Sequence, residues 1–371
     1  ITRTENWDEG LPLGNGFTGS IVYGGTGGKP LKITVDRTDL WDLRPNETTL
    51  EKAFNYDNLV KLSSSGKKED WQERERLFED IFMAKPYPSK ITAGRLELVF
   101  DGVNDLSYSL DYDNAFVDIY VDNRVIARLF ISKTAGVGVI KTFEDYKMSI
   151  HVPAYLSGTP EGKSAIGDGA DKMSLGYPAA VFKHDGNFSW YRQNTFTNYS
   201  FGIVTYKSGD ELYYTLSTTD DNDDYIGFAK EKLKKAAAAG FENLFAGHKK
   251  DWKAYWNKSQ VRTCDKLIDE TYKKSWYLFK SCSAKGGYPM PLQGVWTADD
   301  DCLPPWKGDY HHDTNTELSY QSYLKANRLS EGEAFIDYLW RLKPAYEKFA
   351  KEFFGVSGLL VPSCSTLDGK P

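Results

Sequence analysis

Residues 115–131 read AFVDIYVDNRVIARLFI. Two runs of β-forming side chains, 115–121 and 125–131, flank Asp122-Asn123, a pair suited to a hairpin turn. The pattern repeats on both sides. RLELVF at 95–100, the run Ile203–Tyr206 and ELYYTL at 211–216 are further strands between Gly, Asn and Asp turns. Many short strands at such spacing predict a sandwich.

The pattern changes near Asp224. Residues 230–246 are rich in Ala, Lys, Glu and Leu, a helical composition interrupted by Gly240. Trp252, Tyr255 and Trp256 then fall on one helical face, and Asp269–Ala284 is a second helix. A third is expected over Glu333–Phe354, kinked at Pro344 and ended by Gly355. The fold class is therefore multidomain β plus α. A β domain spans 1–224, a helical linker 225–260, and the opening helices of a helical domain 261–371. So few helices cannot bury their own apolar stripes, so the helical domain is expected to be incomplete within this chain.

Composition narrows the function. The net charge of −6 argues against a nucleic-acid partner, because phosphate binding needs a basic surface. No run of eighteen apolar residues is present, so no membrane span is expected. The four cysteines, Cys264, Cys282, Cys302 and Cys364, form no C-x-x-C pair, which speaks against a zinc ribbon or a thioredoxin-like site. Asp220-x-Asn222-x-Asp224 imitates a calcium loop, but Tyr225 stands where the sharp turn needs glycine, so an acidic turn leading into a helix is the better reading.

Chemistry concentrates at 304–315, PPWKGDYHHDTN, which holds two of the five histidines. His311-x-Asp313 has the spacing of two ligands of an iron facial triad, but no histidine follows to complete it, and no metal is assigned. Thr314-x-x-Glu317 is a capping box, so Asp313, Thr314 or Asn315 could serve only to start a helix. That leaves Asp309, His311 and His312 unexplained. Carboxylates beside imidazoles and the flanking Trp296 and Trp306 suit a sugar pocket, with stacking from the indoles and hydrogen bonds from the rest. Cleaving a glycosidic bond needs one group to protonate the leaving oxygen and another to activate water.

The order of motifs resembles glycoside hydrolase family 95, the inverting α-L-fucosidases. It is carried by Trp7-Asp-Glu-Gly-Leu-Pro-Leu-Gly-Asn-Gly16, Gly19-Ser-Ile-Val-Tyr-Gly-Gly25, Asp36-Arg-Thr-Asp-Leu-Trp41, Gly94-Arg-Leu-Glu-Leu98, Pro291-Leu-Gln-Gly-Val-Trp296 and Pro305-Trp-Lys-Gly-Asp-Tyr-His311. The resemblance implies an N-terminal β-supersandwich, a helical linker and an (α/α)6 barrel with its site at the mouth. It also implies inverting hydrolysis at glycan or polysaccharide ends without a cofactor. Where the family carries Asn-x-Asn, this chain has Asp313-x-Asn315. Those two become the catalytic candidates, and Trp296, Trp306, Asp309, His311 and His312 the substrate-binding ones. A carboxylate can accept a proton directly, so Asp313 either serves as base or reads a different hydroxyl. That opens α-L-galactoside as an alternative substrate, and a non-catalytic carbohydrate-binding protein is the rival class; a phosphorylase on the same architecture is a third reading. The family's general acid is expected beyond Pro371, so this chain alone is expected to be inactive. Substrate class places the protein in the periplasm or outside the cell; oligomeric state is left open.

Overall fold

The structure is a computed structural model that describes residues 2–80, 85–157, 170–171, 174–297 and 302–371. Its principal strands are β1 (Leu11–Gly14), β2 (Thr18–Gly24), β3 (Leu31–Thr34), β4 (Asp36–Arg37), β5 (Arg95–Phe100), β6 (Ser107–Asp111), β7 (Phe116–Val121) and β8 (Arg124–Ser132). Then follow β9 (Val137–Thr142), β10 (Tyr146–His151), β11 (Val181–Asp185), β12 (Phe188–Asn194), β13 (Ser200–Ser208) and β14 (Glu211–Thr218). They form two antiparallel sheets. One runs β1-β2-β3-β5-β10 with β4 also paired to β2; the eight-stranded other runs β11-β12-β13-β14-β9-β8-β7-β6. Leu31, Ile33, Leu96 and Leu98 of the first face Val117, Leu129, Ile140 and Ile203 of the second in one dry core. The predicted hairpin turn is present: Asp122 and Asn123 both take positive φ, 47° and 64°, which matches the right-handed twist of β7 and β8.

The outer face of the large sheet is covered by α3 (Tyr225–Ala239) and α4 (Phe241–Trp256), separated at Gly240. Asp224 caps α3 by accepting from Gly227 N–H, so the calcium-like sequence is an acidic turn into a helix. Ala229, Leu233 and Phe245 pack on Phe130, Val139 and Tyr213. Next come α5 (Lys266–Cys282), α6 (Asn315–Tyr320), α7 (Leu329–Arg341) and α8 (Lys343–Phe354). The expected kinked helix over 333–354 is two helices. Pro344 lies in the first turn of α8, where a missing N–H costs nothing, and the chain breaks at Leu342. Gly355 ends α8 in the left-handed conformation, φ 68°. Two helices inside the β domain, α1 (Tyr56–Ser64) and α2 (Lys68–Phe78), depart from the all-strand expectation. Among their described residues only Leu77 is buried, so little apolar periodicity marks them.

The Gly14-Asn15-Gly16 turn joins the two halves. Gly16, at φ 90°, donates its N–H to Ser281 O at the end of α5 (2.9 Å). A Cβ on Gly14 would stand 2.2 Å from Ser281 O, and one on Gly16 2.3 Å from Ala284 Cβ. Only glycine allows this approach. Tyr277 OH donates to Pro12 O (2.6 Å), which ties the same surfaces together.

Candidate functional site

The loop 304–315 is shaped by its backbone. After Pro304 and Pro305, both Trp306 (φ 55°) and Lys307 (φ 56°) occupy the left-handed region, costly for side chains with a Cβ. The result is a reversal of faces. Trp306 is turned out, 44% exposed, while Lys307 is buried and donates to Lys85 O (2.8 Å). Beyond Gly308 the chain forms a short strand, β15 (Tyr310–His311), paired antiparallel with β16 (Cys364–Ser365). His312 N–H donates to Ser363 O (2.7 Å). His311 and Cys364 are thus a non-hydrogen-bonded pair, the kind whose side chains stand closest.

The pleat divides the loop into two faces. Tyr310 and His312 point into the core. Tyr310 stacks between Trp41 (6.0 Å) and His312 (5.9 Å), and His312 lies against Phe335 and Tyr338. Asp309 and His311 occupy the opposite face, with Cys364 beside them: one ligand-type atom from each lies within 4.8 Å of the others. The edge of Trp306 meets the His311 ring at 5.8 Å and 88°. Asp313 and Asn315 follow at the exposed end of the loop.

Burial sets the electrostatics. Asp309 is pushed up to about 6 by desolvation, against the opposing pull of His311 and Lys307. His311 Nε2 stands 2.7 Å from Asp309 Oδ1, an ion-pair distance, yet neither atom makes an aligned hydrogen bond. Burial drives His312 down to about 4, so the ring is neutral; its Nε2 hydrogen-bonds Ser365 Oγ (3.1 Å). The Cys364 thiol is raised to about 11 by burial first, then by the charges of Asp309 and Asp313.

Of the seven residues picked from sequence, Trp306, Asp309 and His311 come together, and Asp313 and Asn315 are exposed farther along the loop. The other two face inward. His312 faces the aromatic core rather than sugar hydroxyls, because it alternates with His311 along a strand. Trp296 is buried against Ile21, Tyr23, Cys282 and Val295, and its indole N–H is consumed by Leu13 O (2.8 Å). It borders a separate groove of about 820 Å³ beside Leu278, Met290 and Leu318. The capping box is also corrected: Thr314 occupies the cap position of α6, but its side chain makes no cap hydrogen bond. Sequence reasoning missed Cys364 as a member of the cluster, because nothing local signals its pairing with His311.

The Asp36–Trp41 motif supports the site from the β domain. Arg37 is buried and holds Asp39 through two bonds (Nε–Oδ1 2.8 Å, Nη2–Oδ2 2.7 Å) and Asp221 through Nη1 (2.5 Å). Trp41, which stacks on Tyr310, also walls a cavity of about 230 Å³ with Asp39, Arg44, Tyr177, Phe196 and Leu367.

Comparison with known proteins agrees with this architecture. Residues 241–370 match the Glycosyl hydrolase family 95 catalytic domain, and residues 2–180 match the Glycosyl hydrolase family 65, N-terminal domain. "Alpha-L-fucosidase 2" of Arabidopsis thaliana is 20% identical over 445 residues, covering 99% of this chain and 51% of that protein. "Probable alpha-fucosidase A" of Aspergillus niger is 25% identical over 162 residues, 38% of this chain and 18% of its own length. The chain thus spans about half the length of the Arabidopsis protein. A solved structure described as "Putative kojibiose phosphorylase from human microbiome" superposes with a TM-score of 0.59 at 12% identity, over 97% of this chain and 49% of its own. That likeness speaks to fold, a β-sandwich followed by helices of the (α/α)6 kind. With the family-95 match over its helical part and the fucosidase relatives, the chain is similar to glycoside hydrolase family 95 or a near relative of it.

Proposed function

We propose that the protein hydrolyses a terminal α-L-fucoside, or the closely related α-L-galactoside, with inversion, on the open face of the 309–315 loop. The observation that carries this reading is the meeting of Asp309, His311 and the outward Trp306, with Asp313 and Asn315 exposed on the same loop. Asp313 reaches solvent and can take a proton from an attacking water, while the Asn315 amide helps to orient that water. Asp309 and His311 form the polar floor that receives sugar hydroxyls, and Trp306 offers an apolar edge to the ring. The fucosidases among the relatives support the substrate class. The reading places the work where glycans are degraded, in the periplasm or outside the cell.

The test is turnover of aryl α-L-fucoside and α-L-galactoside by the natural full-length protein, with and without inorganic phosphate, and with the product anomer read by NMR. Asp313→Ala is expected to lose ~10²–10⁴-fold in kcat without phosphate dependence in the parent. Wild-type turnover in that variant removes Asp313 from the mechanism; strict phosphate dependence makes the protein a phosphorylase instead.

A further inference from the structure

The cluster Asp309–His311–Cys364 has properties that sugar recognition does not need. It unites a carboxylate, an imidazole and a thiol, three different donor types, with ligand-type atoms within 4.8 Å of one another. The geometry follows from the backbone. Asp309 and His311 are two apart on one strand face, and Cys364 is directly opposite His311 in the ladder. Asp309 is only 5% exposed, and its Oδ1, aimed at this cluster, completes no hydrogen bond; His311 Nε2 is in the same condition. The two atoms face each other at 2.7 Å without the alignment of a hydrogen bond, and a cation at this point would engage both at once. Asp313 is close enough to act electrostatically on Cys364, so further negative charge stands beside the cluster.

We propose that Asp309, His311 and Cys364 form a binding site for a thiophilic divalent cation, with Zn²⁺ as its natural occupant. Nitrogen, oxygen and thiolate sulfur in a three-residue set with one side open to solvent is the donor set zinc prefers, whereas magnesium and calcium would select oxygen alone. On binding, the Cys364 S–H bond is replaced by a Zn–S bond and the proton passes to solvent. No electron is transferred. The occupied site withdraws Asp309 and His311 from other ligands, so zinc is expected to inhibit any reaction on this face. That consequence rests on the hydrolase reading; the binding does not.

The experiment is a competition titration of the metal-free protein with ZnCl₂ against a chromophoric chelator. Cd²⁺ is used as a second probe for the thiolate-to-metal charge-transfer band in the ultraviolet. One equivalent of Zn²⁺ is expected, with a cadmium–thiolate band, and Cys364→Ser and His311→Gln should each weaken zinc at least ~10-fold. Because either variant could misfold, the unaltered protein is also alkylated with iodoacetamide with and without Zn²⁺, and the cysteine peptides are quantified by mass spectrometry. Selective protection of Cys364 supports the site. Absence of a stoichiometric zinc equivalent overturns it, as does equal alkylation of Cys364 in both conditions, or protection that falls only on Cys264, Cys282 or Cys302.

Discussion

His248 provides a sharp test of the packing between α4 and the large sheet. It is buried between Phe130 (4.8 Å) and Phe245 (6.5 Å), and its Nε2–H donates to Ala115 O (2.9 Å). Desolvation holds its pKa at about 4; Lys280 from α5 lowers it further, and Asp251 from α4 and the carbonyls near Asn114 and Ala115 pull it up. In the unfolded chain the ring titrates near ~6.5. Above that pH neither state is protonated and the group is neutral to stability. Between ~6.5 and about 4 the unfolded chain binds a proton that the native state refuses, so stability falls as pH falls. A shift of this size corresponds to a loss on the order of 3 kcal/mol by pH 4. His248→Phe keeps the aromatic packing but leaves Ala115 O without its donor, which costs ~1–2 kcal/mol at pH 7. Denaturant unfolding of both proteins, followed by circular dichroism from pH 7 to 4, should show the wild type ahead at pH 7 and behind at pH 4. His312 titrates in the same range but is present in both proteins and cancels. A difference that stays constant across the window would refute the burial argument.

Three other outcomes follow from the packing. Gly16→Ala must overcome both φ 90° and a 2.3 Å approach to Ala284, and should lower unfolding free energy by ~2–4 kcal/mol; a loss under ~0.5 kcal/mol would mean that the turn does not rest on α5. Arg37→Met strands the carboxylates of Asp39 and Asp221 and should cost ~3–5 kcal/mol in denaturant titration, with partial recovery when Asp221→Asn is added; no recovery would show that the loss comes from packing alone. Trp306→Gly relieves a left-handed backbone while removing the ring. Its thermal midpoint should hold while calorimetric affinity for L-fucose or L-galactose falls roughly 3- to 10-fold. Unchanged affinity would take the indole out of the sugar pocket.

What could be read from the sequence was what local chemistry dictates. The β7–β8 hairpin follows from Asp122-Asn123, the acidic turn into a helix from the stretch ending at Asp224, and the end of α8 from Gly355; the helix itself starts at Tyr225, ahead of the expected 230. Pro344 was legible as a disturbance but not as a boundary, because the same residue that kinks a helix interior is welcome in a first turn. Helices α1 and α2 were hidden because only Leu77 among them is buried. The loop 304–315 announced itself by its histidines, yet their division between core and open face depends on strand alternation, which a two-residue strand does not reveal. The packing of Trp296 was hidden because an indole serving an interface is indistinguishable in sequence from one facing a sugar. Cys364 was out of reach altogether, since its neighbour His311 is set by a pairing across distant parts of the chain.

That pairing also sets an order of events in synthesis. His312 and Ser365, hydrogen-bonded across the ladder, are 53 positions apart. At ribosomal speeds of ~5–20 residues per second, the Asp309–His311 half therefore waits roughly 3 to 10 seconds for its partner strand. In that interval α6, α7 and α8 emerge, and their local contacts form far faster than the chain lengthens. The strand bearing His311 is thus paired only after those helices have emerged, and Cys364 joins Asp309 and His311 only when translation has passed Ser365.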